Sequence, residues 1–138
     1  MKNILKFCLS LLMTMMIFSC NDREEGDLII GTDRIKIDSV KIAQDSMDVL
    51  TTQTIKTYSN YSGNCEGFYG YDYVHKNDLT REVTSYNFKT DAACTEIATR
   101  ASLINFRPQQ AGDYIFKFWN GLNSSGEDIW IEKTIKVQ

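Results

Sequence analysis

The sequence predicts an all-β fold, a β-sandwich of seven short strands behind an N-terminal signal segment. Three observations predict it. From residue 34 onward the chain is rich in Thr, Tyr, Ile and Val in short alternating runs, the pattern of half-buried strands. Clusters of Gly, Asn, Ser and Asp separate the runs, and the whole chain has a single proline to interrupt them. Residues 34–138, about 105 in number, suffice for one domain with one core, and seven short strands in that length suggest two packed sheets.

The strands follow in order. RIKIDSVKIA (34–43) is the first run and VLTTQTIKTYS (49–59) the second. GFYGYDYVH (67–75) and TREVTSYNFKT (80–90) are the third and fourth. IATRASLINF (97–106), DYIFKFWN (113–120) and DIWIEKTIKV (128–137) complete the set. DAACTEIA (91–98) could instead form one helical turn. Breaks are expected at 59–64, 75–79, 108–112 and 120–128.

The last two runs make a hairpin whose register can be read. Centring it on Ser124-Ser125 sets Trp119 opposite Trp130, Lys117 opposite Glu132, Phe118 opposite Ile131 and Tyr114 opposite Ile135. Aromatic and oppositely charged cross-strand pairs contribute roughly 0.2–1 kcal/mol each, and a one-residue slip would turn every side chain over. Phe116 opposite Lys133 is the one poor pair. Tyr114, Phe116 and Phe118 are expected inside, with Trp119 and Trp130 on the outer face.

The chain begins MKNILKFCLSLLMTMMIFSC. Lys2 and Lys6 precede an apolar stretch, and no acidic residue occurs before Asp22. That is the layout of a secretory signal peptide, short for a spanning helix, which needs about 20 apolar residues. Ile17-Phe18-Ser19-Cys20 resembles the bacterial lipobox, with Phe18 bulkier than usual. The resemblance implies cleavage after residue 19 and acylation of Cys20, by diacylglycerol and a further palmitate-like chain. An ordinary signal peptide, or an uncleaved anchor, is the alternative. One acyl chain holds a protein only marginally, so two or more make a stable anchor. The segment NDREEGD then supplies Asp22, Glu24, Glu25 and Asp27. An acidic tract after the lipidated cysteine resembles the export signal of surface lipoproteins in some Gram-negative lineages, and a solvated tether gives the same composition. The expected organisation is signal peptide 1–19, lipidated tether 20–33 and sandwich 34–138. The expected address is the cell envelope, as an outer membrane lipoprotein, with surface or periplasmic display left open.

Without Lys2 and Lys6 the mature chain has 18 acidic and 13 basic residues, net −5. With no basic patch, nucleic acid is not an expected partner. Of four cysteines, Cys8 leaves with the signal peptide and Cys20 carries lipid. Cys65 and Cys94 remain, and two cysteines in an exported domain most often pair. A metal pair is the weaker alternative, because the lone His75 has no flanking ligands. No metal or other cofactor is expected.

Pro108-Gln109-Gln110-Ala111-Gly112-Asp113-Tyr114 resembles the turn into strand F of immunoglobulin-like domains. There a tyrosine after a glycine turns the corner, and its hydroxyl bonds back to the chain. The resemblance runs closely through Val137 and elsewhere only by strand count. Phe116 stands where antibody domains have their second cysteine, so the usual inter-sheet disulfide is absent. In such a fold Cys65 and Cys94 lie in two loops at one end, beside NGLNSSGED (120–128), which is compatible with their pairing.

Catalytic motifs are missing: there is no GxSxG, HExxH, Walker loop or CxxC. Glu24-Glu25 reads as solvated tether. Asp72 and His75, three apart on a strand, lie on opposite faces, and His75 reads as an exposed strand end. An enzyme is therefore not expected. The candidates for ligand binding are aromatic. YSNYSGNCEGFYGYDYVH (58–75) has the tyrosine-rich, small-polar composition of binding loops. Tyr69, Tyr71 and Tyr73 alternate onto one face, which equally suits core. Trp119 and Trp130 are the expected exposed pair, although paired tryptophans can simply shield a sheet. Ser39 and Ser46, in Asp-Ser-apolar triplets, resemble bacterial O-glycosylation acceptors. Asn60 and Asn123 match the N-glycan pattern, against which the lipobox argues.

These readings imply a membrane-anchored, non-catalytic binding or accessory module with a protein or glycan ligand. An immunoglobulin-like enzyme inhibitor and a structural subunit of an envelope assembly are the alternatives. The tether spans roughly 20 Å as a flexible chain and about 45 Å extended. Loops at its own end would then face the membrane, which would favour the Trp119/Trp130 face as the working surface.

Overall fold

The computed structural model describes residues 27–138. The signal peptide, the lipidation site Cys20 and residues 20–26 of the tether lie outside the described residues. The described chain is all-β, with nine strands where seven were expected. They are β1 (Ile29–Ile35), β2 (Ser39–Ile42), β3 (Ser46–Met47), β4 (Gln53–Tyr61), β5 (Glu66–His75), β6 (Thr80–Thr90), β7 (Ala98–Phe106), β8 (Gly112–Leu122) and β9 (Asp128–Val137). They form two sheets. The small sheet is β2-β4-β7; the large one runs β1-β6-β8-β9-β3, with β5 also paired to β6.

The two extra strands come from the N-terminal third. The run 34–43 does not stay in one sheet. Its first residues finish β1 against β6, residues 36–38 cross over, and β2 pairs with β4 in the small sheet. Ile37, in the crossing, is fully buried. Its N–H donates to the Trp119 carbonyl at 2.9 Å, and Asn120 Nδ2 donates to its carbonyl at 2.7 Å. The chain then returns to the large sheet as β3, parallel to β9, where Met47 is buried. β1 also takes in residues 29–33, which were expected as tether. Residues 91–97 hold no helical turn.

β6 has two neighbours along one edge. Its first residues, 80–83, run parallel to 115–118 of β8. Further along, residues 85–90 pair with β1, which fills the gap where β8 splays away. The core lies between the sheets. Phe116 and Phe118 stack from β8, Phe116 meets Phe106 of β7 edge-on at 4.9 Å, and Ile55, Ile104, Val83 and Ile135 fill the space around them.

The terminal hairpin has the expected register from Tyr114↔Ile135 to Trp119↔Trp130, and Tyr114, Phe116 and Phe118 are buried. Lys117 meets Glu132 at 3.1 Å. A bulge between Trp119 and Gly121 then shifts the pairing to Leu122↔Asp128. Beyond the bulge the pairing is therefore one residue off the expected register. Asn123 Oδ1 accepts the N–H groups of Ser125 and Glu127, both at 2.9 Å.

Cys65 and Cys94 are disulfide-bonded, with Cα atoms 5.1 Å apart. The bridge ties the β4–β5 turn to the β6–β7 loop. Gly63 allows this approach: its φ is +152°, and a side chain there would press on the Glu96 backbone. The chain comes into β1 at this same pole, where Leu28 and Asp91 exchange backbone and side-chain bonds at 3.1 Å. With the cysteines 29 positions apart in sequence, replacing both by serine is expected to cost about 3–4 kcal/mol through the freed unfolded chain. A urea titration checks this, and an unchanged midpoint would show the bridge to be energetically idle.

Candidate functional site

The two sheets are unequal, and the site arises from that. β5 lies outside β6 and extends the large sheet, whereas β7 ends the small one. β5 and β7 face each other without pairing, so among the described residues each keeps one free edge. Near the middle of this open side Tyr71 acts as a strut. Its hydroxyl shares a 2.6 Å hydrogen bond with Thr57 Oγ1 of β4, and Thr57 is otherwise sealed in the interior. Beyond Tyr71, toward the pole away from the disulfide, the gap widens into a cleft of about 890 Å³.

The cleft is built from both edges and from the β7–β8 corner. Tyr73 lies near Phe116 at 6.5 Å and near the His75 ring at 5.5 Å. Phe106 and Tyr114 meet edge to face at 5.0 Å, and the Tyr114 hydroxyl donates to the Gln110 carbonyl at 3.2 Å, which holds the corner. Arg81 lies over the Tyr114 ring, 5.2 Å from its centre. It is only 7% exposed. Its guanidinium donates to the carbonyls of Asn77 and Asp78, each at 2.8 Å, and of Thr80 at 3.1 Å. Among the described residues no carboxylate pairs with it. Carbonyl dipoles, the Tyr114 ring and the Tyr73 hydroxyl, with no counter-carboxylate, therefore offset a buried charge, an arrangement that leaves the cleft floor electropositive. Arg107, exposed on the β7 side, donates from Nε to the Leu50 carbonyl at 2.9 Å. Leu50 carries a positive φ of 62°, unusual for a branched side chain, and its N–H donates to the Pro108 carbonyl at 2.8 Å.

Burial pushes the Tyr71 and Tyr73 hydroxyls above the ordinary tyrosine value. The Thr57 bond pulls Tyr71 partly back, and the charge of Arg81 does the same for Tyr73. Both phenols are thus neutral at physiological pH. The lining offers donors, cations and aromatic rings, which suits recognition of a polar ligand.

The structure separates the aromatic candidates. Tyr69, Tyr71 and Tyr73 were expected on one face, but a bulge between Phe68 and Gly70 breaks the alternation. Tyr69 is turned out, 63% exposed and away from the cleft, while Tyr71 and Tyr73 are half-buried in it. Phe68 is brought round to Tyr71, ring centres 4.7 Å apart. Trp119 does lie opposite Trp130 on the outer face, but it is not exposed. Arg34 covers its ring at 3.9 Å, and its Nε1–H donates to Asp128 Oδ1 at 2.6 Å, leaving it 8% exposed. Trp130 is half-buried, and neither tryptophan lines the cleft. His75 is exposed at the end of β5, as expected, and lines the cleft. Ser39 and Ser46 are exposed. Among the described residues no cluster of three or more His, Cys, Asp or Glu is placed to hold a metal ion.

Arg81, Phe106 and Arg107 were missed. Arg81 shares its alternation with Val83, Ser85 and Asn87, all buried, a signal that could have marked it as inward-facing. Nothing in the spacing joins residues 71–75 to 103–107. The fold and cleft define a class, a disulfide-tied two-sheet β protein open along one side. No protein-family model, curated protein or solved structure matches the chain.

Two outcomes follow for the strut. Tyr71→Phe strands the Thr57 hydroxyl and is expected to cost about 1–3 kcal/mol in denaturant unfolding. Because burial raises the tyrosine values, the folded state keeps protons that the unfolded chain releases. Stability is therefore complete below pH 10.0, the free tyrosine value, and falls as pH rises through the raised ones. Alkaline unfolding followed by tyrosinate absorbance checks this, and Tyr71→Phe should soften the decline. A flat stability profile across that range would contradict the burial.

Proposed function

We propose that the protein is an envelope lipoprotein, anchored through Cys20, whose domain is an immunoglobulin-like sandwich variant acting as a non-catalytic binding module. The cleft between β5 and β7 is its ligand site. The lipobox resemblance and the acidic segment support the address, and a disulfide is compatible with an extracytoplasmic protein. Several features support the fold type. β4 pairs with β7, β8 with β9, β3 runs parallel to β9, and the Tyr114 hydroxyl closes its corner. The parallel pairing of β6 with β8 departs from that pattern, since the third strand of such domains runs antiparallel there.

One observation carries the binding reading. The described chain comes in at the disulfide pole, and the cleft opens toward the other. A domain held through its N-terminus would present the cleft away from the membrane and keep the β4–β5, β6–β7 and β8–β9 connections near it. That geometry favours the cleft over those loops, and so binding over the inhibitor alternative, and it displaces the Trp119/Trp130 face as the working surface.

The anchor is tested with Cys20→Ala. The wild-type protein is expected in the membrane fraction and labelled by palmitate, and the variant unlabelled and released. A variant that stays with the membrane would overturn lipidation. Protease treatment of intact cells carrying a C-terminal tag then separates surface from periplasmic display.

A further inference from the structure

We infer that the ligand of the cleft is an extended polypeptide strand, added to the free edge of β7 and carrying a carboxylate toward Arg107 and Arg81. This rests on the binding-module reading above and names the ligand class for the same site.

The edge of β7 is unusually open to pairing. It runs nine residues against β4, from Gln53↔Phe106 to Tyr61↔Ala98, with no register shift. Exposed edges are normally blunted by bulges, prolines, lysines or acidic side chains, and β7 has none of these. Its one charge, Arg100, reaches across to the carbonyls of Glu66 and Gly63 near the disulfide pole, so the stretch 103–106 that lines the cleft carries no charge. The facing edge, β5, is blunted in two ways, by the Phe68/Gly70 bulge and by exposed Asp72.

The uncovered surface has the right place and size. Strands in a sheet lie about 4.8 Å apart, so a fourth strand beside β7 would enter the cleft and cover Tyr73. The lining takes in residues 103–106 of β7, roughly 14 Å of strand, enough for four or five incoming residues. Ile104 and Phe106 point inward, whereas Leu103, 59% exposed, and Asn105 point out. An incoming strand of alternating character would match both sides.

Charge supplies the third element. The chain is acidic overall, net −3, yet Arg81 and Arg107 line the cleft against Asp78 alone. Among the described residues the Nη groups of Arg107 have no partner, which leaves its fork for a carboxylate.

The test is to pan random heptapeptides displayed on phage against the purified protein. A selected peptide is then made synthetically and its affinity measured for wild type, Arg107→Glu, Leu103→Lys and the far-side control Lys133→Glu, each checked for folding by thermal melting. The expected peptides pair β-branched residues with at least one acidic one. Arg107→Glu and Leu103→Lys should each weaken binding about tenfold or more, with Lys133→Glu unchanged, and the peptide should slow amide exchange within residues 103–106. Peptides that bind Arg107→Glu and Leu103→Lys as well as wild type would overturn the inference. So would polygalacturonate filling the cleft with no peptide selected, although the binding reading would then survive. Protection of β7 by self-association would make the occupant a second copy and overturn it too. If neither peptide nor polygalacturonate binds, the binding reading falls with it.

Discussion

A three-stranded sheet cannot cover a six-stranded one, and most of this molecule follows from that mismatch. The strongest packing lies where the sheets coincide, with Phe116 and Phe118 of β8 over Ile55, Ile104 and Phe106. β9 and β3 close the sandwich on one side. On the other, β5 extends beyond β7. The chain fills that overhang with tyrosines, whose rings join the core while their hydroxyls find partners near its margin. The Tyr71 bond to Thr57 fixes how far apart the two layers sit there, and the cleft is the remaining space.

The N-terminal third adapts the same architecture. By crossing at residues 36–38, one stretch of chain contributes to both sheets and buries Ile35, Ile37 and Met47 in turn. β1 also fills the wedge between β6 and β8, and Arg34 seals the Trp119 ring from outside. The same pole holds the disulfide and the incoming chain, so its loops are spoken for structurally. The cleft lies among residues that the scaffold constrains less, at the ends of β5 and β7. That is where a binding surface can vary without disturbing the core.

How much was legible in the sequence depended on distance along the chain. The β8–β9 register was readable because aromatic and charged partners face each other across a short turn, and each pair favours the same alignment. The Asn123 turn and the Trp119/Gly121 bulge shifted only its end. The run 34–43 looked like one strand because alternation persists through a sheet crossing: Ile35 and Ile37 are buried either way. Tyr69 was misplaced because a bulge reverses faces without a clear signature beyond Gly70. Trp119 was placed on the correct face, but its cover, Arg34, lies 85 positions away in sequence. The cleft was the least legible feature. Tyr71 and Tyr73 were marked as aromatic candidates, but Arg81 and Arg107 come to them only through the non-local arrangement of β5, β6 and β7.

The sandwich is open between β5 and β7. Amide hydrogen exchange on the purified, ligand-free protein tests it most directly. In an open sandwich alternate amides along residues 71–75 and 103–106 should exchange rapidly, while the paired amides of β8 and β9 stay protected. Uniform protection along both edges would mean that another strand already closes that side. The cleft, and the binding surface assigned to it, would then not exist in solution.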